Sequence, residues 1–85
     1  METATTTTAA AKTVARLFRH PVGKAEVEVR YTFNPKMGRP HIVVERRGCE
    51  YPEVYRYGYV TTARKMWAIL TARLAREGFT KVRDY

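Results

Sequence analysis

The stretch that most constrains this chain is residues 25–33, which read Ala-Glu-Val-Glu-Val-Arg-Tyr-Thr-Phe. Val27, Val29, Tyr31 and Phe33 alternate with Glu26, Glu28, Arg30 and Thr32. Successive side chains of a strand point to opposite faces, so this pattern dictates a strand with one face buried and one wet. Such a strand needs partners. After the turn Asn34-Pro35-Lys36-Met37-Gly38, residues 41–47 supply one, with Ile42 and Val44 on one side. Residues 53–60 supply another. There Tyr55, Tyr57 and Tyr59 share one face and Val54, Arg56 and Val60 the other, and Pro52 suits the start or edge of a strand.

The period then changes. Thr61 or Thr62 can N-cap a helix by accepting a backbone N–H. Residues 63–77 carry Ala63, Met66, Trp67, Leu70 and Leu74 at helical spacing, with Ile69 flanking. Gly78 suits the residue after a helix, and Phe79 can pack back on the last turn. Residues 79–83 read as a short closing strand with Val82 inward. Residues 12–20 fit either period: Val14, Arg16 and Phe18 share a strand face, and Val14, Leu17 and Phe18 a helix face. The expectation is an α+β domain over residues 12–85, a three- to four-stranded antiparallel sheet with one C-terminal helix packed on one face. Residues 1–11 are mostly Thr and Ala. They hold too little apolar bulk to offset ordering entropy, so a disordered tail is expected.

Charge bounds the function. Sixteen Lys and Arg against eight Asp and Glu give a formal +8, which attracts polyanions such as nucleic acid, an anionic membrane or an acidic protein. A single cysteine, Cys49, excludes an internal disulfide and points to an intracellular protein. No apolar run is long enough for membrane insertion.

Catalytic chemistry finds little footing, and the expectation is a protein that is not an enzyme. His20 and His41 lie on different segments without a Cys or carboxylate at metal-ligand spacing, and both read as turn or surface residues. Glu26, Glu28 and Glu45 sit among cations, as in cross-strand ion pairs. Tyr55, Tyr57 and Tyr59 with nearby arginines match a base-stacking platform. They equally match a strand face packed on Trp67 and Met66, and the sequence leaves both open. Arg64, Lys65 and Arg76 form a helix face that could track a phosphate backbone. Cys49, beside Arg46 and Arg47, is either a small buried hydrophobe or a thiol activated by neighbouring cations.

Glu45-Arg46-Arg47-Gly48-Cys49 resembles the acid-x-Arg-Gly-Cys signature of cryptophyte phycobiliprotein α subunits, with Glu45 where that family usually has Asp. Ala15 to Arg19, running on to Gly23, resembles the opening strand of the small rod-capping linkers of phycobilisomes. Leu74 to Val82 is similar to their closing helix and strand, with Phe79 in place of a second glycine.

The resemblance implies a light-harvesting linker or scaffold docked on acidic phycobiliprotein subunits. It would lie on the stromal side of a plastid thylakoid or in a cyanobacterial cytoplasm. It also implies a covalent bilin, phycoerythrobilin or phycocyanobilin, on Cys49. Glu45 would then accept from pyrrole N–H groups, Arg47 would pair with a propionate, and Tyr55 or Tyr57 would pack on the tetrapyrrole. The partner surface would comprise Arg16, Phe18, Arg19, Arg46, Arg56, Arg64, Lys65, Arg73 and Arg76. The alternative reading is a small nucleic-acid-binding protein using the Tyr/Arg sheet face.

Overall fold

The computed structural model describes residues 12–48 and 50–85. The expected disordered tail, residues 1–11, and Cys49 lie outside the described residues. The chain forms β1 (Lys12–Arg19), β2 (Glu26–Phe33), β3 (His41–Arg47), β4 (Glu53–Tyr57), α1 (Val60–Arg76) and β5 (Thr80–Asp84). The strands make one antiparallel sheet in the order β4-β3-β2-β1-β5, with α1 across one face. The α+β class is as expected, but five strands form where three or four were expected. The extra pairing comes from residues 12–19, whose ambiguous pattern resolves as a strand because β2 offers them a full-length partner. Lys12 pairs with Phe33 and Arg19 with Glu26.

Alternation on β2 sets the core. Val27 and Val29 are buried beneath Ala63, Leu70 and Leu74 of the helix, with Phe18 and Val43 beside them. The register puts Tyr31 opposite Val43, and Val43 opposite Tyr55. Val43 is thus the core residue of β3, while Ile42 and Val44 lie on the uncovered face. Tyr55 and Tyr57 pack half-buried against the core. β4 ends at Tyr57, so Tyr59 falls past the strand and stays exposed.

The helix begins two to three residues earlier than capping chemistry suggested. Tyr59, extended and without a side-chain cap bond, is the N-cap, and Thr61 and Thr62 lie within the first turn. At the other end, the Gly78 N–H donates to Ala75 O at 3.1 Å and the Phe79 N–H to Leu74 O at 2.9 Å, with Gly78 at φ +96°. This pair of bonds is the Schellman arrangement, which satisfies carbonyls the helix leaves open. The 17 residues of α1 span ~25 Å, enough to cross the ~19 Å between the outermost strands. The chain therefore leaves β4 at one edge and delivers β5 to the other. Val82, expected inward, is 42% exposed. A register shift opposite Leu17 and Phe18 leaves Val82 as the unpaired extra residue of a bulge.

Candidate functional site

The register sorts charge along the strands. One cross-strand row runs Glu53–Glu45–Val29–Arg16–Asp84 through all five strands. Every described side-chain carboxylate lies on this row or beyond it, toward the C-terminal end of the helix. That end holds a hollow of about 240 Å³ lined by Glu45, Arg47, Glu50, Tyr51, Glu53, Arg73 and Glu77. Glu45 is 3% exposed and accepts from Arg47 at 3.1 Å, and Arg47 also donates to Glu77 at 3.2 Å. Burial works against the Arg47 charge, but the two carboxylates outweigh it and hold its pKa above the ordinary arginine value. The Tyr55 hydroxyl donates to Glu53 at 2.7 Å; that bond, then burial, pushes its pKa up.

The opposite end differs in kind. A cleft of about 490 Å³ opens between the start of α1 and the ends of β1, β2 and β3. Its walls are Val14, Tyr31, Phe33, His41, Val60, Ala63, Arg64 and Trp67. The aromatic side chains hold one another. His41 stacks on Tyr31 with ring centres 6.1 Å apart and 15° between planes, and lies 5.1 Å from Phe33. The Tyr31 hydroxyl bonds His41 Nδ1 at 2.8 Å. Arg16, paired with Asp84 at 2.6 Å, sits 5.8 Å from the Trp67 ring centre. Cations surround this end. Lys36 and Arg39 lie in the hairpin joining Phe33 to His41, Arg64 and Lys65 on the first turns of the helix, and Arg56 on β4. None of the five makes an ion pair among the described residues. The helix also directs its N-terminal, partially positive end here, with no acidic residue in its first turn.

The sheet face away from the helix is uncovered by any described element. Arg30 bonds Glu28 and Arg19 bonds Glu26, while Arg46 and Arg56 are exposed without an ion pair among the described residues. Of the cross-strand ion pairs expected for Glu26, Glu28 and Glu45, only Glu26 makes one; the other two bond an arginine on their own strand.

The residues expected to bind a partner therefore divide. Phe18 is a correction: at 6% exposure it belongs to the core, because strand alternation places it beside Val27 under the helix. Arg16 and Arg19 are engaged by Asp84 and Glu26, and Arg73 is half-buried in the hollow lined by four carboxylates. Arg46, Arg56, Arg64, Lys65 and Arg76 are exposed. Of the expected bilin contacts, Glu45 and Arg47 are bound to each other, and Tyr55 and Tyr57 face the helix.

Sequence reading did not single out the cleft. The alternation puts Tyr31 and Phe33 on the core face of β2, but nothing in the pattern indicates that the helix leaves the end of that face open. His20 is a structural residue. Its Nε2 donates to Glu77 O at 3.1 Å, at the helix end, and its Nδ1 lies against the Val22 backbone, 2.8 Å from the carbonyl oxygen and 3.0 Å from the nitrogen.

No group of three or more His, Cys, Asp or Glu side chains is placed to hold a metal among the described residues. No described helix is long and apolar enough to cross a membrane. Comparisons with family models, curated proteins and solved structures found no match.

Proposed function

We propose that this chain is a nucleic-acid-binding protein that works by docking rather than catalysis, and that the cleft end is its contact surface. The observation that carries the reading is the segregation of the described carboxylates by strand register: cations stand on both sides of the Glu45 row, but the cleft side has no described side-chain carboxylate beside them. Carboxylates gather on or to one side of the Glu45 row, and on the other Lys36, Arg39, Arg64 and Lys65 stand at the end that holds an aromatic cleft, with Arg56 on the outer sheet face nearby. Clustered cations release counterions from a phosphate backbone, and aromatic rings beside them give bases a surface to stack on. An acidic protein would use the cations alone and leave the aromatic cleft unexplained.

The antenna reading gains less from the same geometry. The hollow that holds the expected bilin contacts Glu45 and Arg47 is lined by four carboxylates, Glu45, Glu50, Glu53 and Glu77, against Arg47 and Arg73. A bilin brings two propionates, which that balance repels. Glu45 would also have to leave Arg47 to accept from pyrrole N–H groups.

The test is fluorescence anisotropy with labelled single-stranded and duplex oligonucleotides across a salt series. If about four of the five cations each meet a phosphate, log affinity falls against log salt with a slope of about −3. Lys36→Glu with Arg39→Glu should lower affinity by at least tenfold, and Glu50→Lys at the carboxylate-lined hollow should leave it unchanged or raised. No binding at about 50 mM salt, where backbone contacts are strongest, would refute the proposal.

A further inference from the structure

The nucleic-acid reading leaves a chemical question: what fills a fixed aromatic cleft at the centre of a phosphate-attracting surface. We infer that it is a pocket for one unstacked base, and that the protein therefore prefers single strands or frayed ends over intact duplex. The inference rests on the proposed function and adds the form of nucleic acid recognised.

The volume of about 490 Å³ lies within the range of pockets that enclose small planar ligands. The walls suit a base. Trp67 and Phe33 supply aromatic rings, Val60 and Val14 line the cleft at 36% and 39% exposure, and His41 supplies a polar ring nitrogen. When Tyr31 donates its hydroxyl proton to His41 Nδ1, the imidazole carries its proton on Nε2. That N–H can then be given to an acceptor on a base edge. The rings are already braced, His41 by Tyr31 and Trp67 beside an arginine held by Asp84, so little ordering is required on binding.

Charge names the occupant. A free apolar molecule would need only the walls. Here Arg64 stands in the wall itself, and Lys36 and Arg39 occupy the hairpin whose two ends, Phe33 and His41, form the opposite side. A strand laid across the mouth would meet cations on both flanks while one base turned inward. A base paired within a duplex cannot reach such a pocket without being unstacked and unpaired, which disfavours duplex.

Trp67 is the only tryptophan, so its emission reports the cleft directly. The experiment titrates the full chain with an oligothymidine strand, the same strand carrying one central abasic site, a blunt hairpin duplex, and polyglutamate of matched charge. The intact strand should quench Trp67 and bind more tightly than the duplex. His41→Ala, or Trp67→Phe, should lower strand affinity roughly five- to a hundred-fold while duplex affinity holds. Val60→Phe, at a partly exposed wall position, fills the cleft while every cation is retained and should erase the same preference. Equal affinity for strand and duplex, or equal competition by polyglutamate, would overturn the base pocket. Failure of every nucleic acid to bind at low salt would instead overturn the function on which it rests.

Discussion

Gly78 is where the closing half of the fold is decided, and Gly78→Ala tests that. The residue sits at φ +96°, where an L side chain is strained by about 1–2 kcal/mol. A Cβ placed there would lie 2.9 Å from His20 Nε2, so the imidazole must move. Moving it breaks the bond to Glu77 O and disturbs the edge-on contact with Phe79, whose ring centre is 5.1 Å away. Together these are worth about 1–2 kcal/mol. Stiffening the unfolded chain offsets about 0.5 kcal/mol.

The net expectation for Gly78→Ala is a loss of about 2–3 kcal/mol, or a melting temperature lower by about 10–20 °C for a domain of this size. The discriminating assay is urea unfolding of Gly78→Ala, His20→Ala and the double variant. With the imidazole gone, only the backbone part remains, so Gly78→Ala should cost about 1 kcal/mol in the His20→Ala background. Equal losses in both backgrounds would show that His20 and Gly78 do not act on each other. A Gly78→Ala protein as stable as the parent would refute the positive-φ argument itself.

Three further outcomes follow from the ionic contacts. Arg47→Met should destabilise by about 2–3 kcal/mol in chemical unfolding, because it leaves the Glu45 carboxylate buried without a partner; Glu45→Gln should cost less, and the reverse order would contradict the ion-pair account. Asp84 accepts from Arg16 and Lys81, which holds its pKa below the ordinary carboxylate value. Its stabilisation is thus present above about pH 4 and is lost as pH falls through the depressed folded value, so Asp84→Asn should flatten that part of the acid-unfolding profile. Tyr55, bonded to Glu53, should ionise above the ordinary tyrosine value in an absorbance titration, and Glu53→Gln should bring it back toward that value.

Much of the fold was legible along the chain. The alternation of residues 26–33 named the central strand and its buried valines. The spacing of Ala63, Leu70 and Leu74 named the helix face, and Gly78 its end. Residues 12–20 were not legible, since nine residues satisfy both periods and only pairing with β2 selects one. Along the chain Tyr55 and Tyr57 fit both core and platform, because a face is buried only when something covers it, and α1 covers this one. The cleft was illegible for a related reason. Tyr31 and Phe33 continue the buried pattern of β2, and only the placement of the helix start leaves them accessible.

By itself the sequence determined the alternation, the helical stripe, the glycine stop and an excess of positive charge, because each depends on residues near one another in the chain. Tertiary structure decided where that charge stands. Antiparallel register aligned Glu53, Glu45, Arg16 and Asp84 in one row and left Lys36, Arg39, Arg56, Arg64 and Lys65 beyond it. Composition fixes the number of charges, and strand pairing between distant segments fixes their separation, on which the attraction of any anionic partner depends.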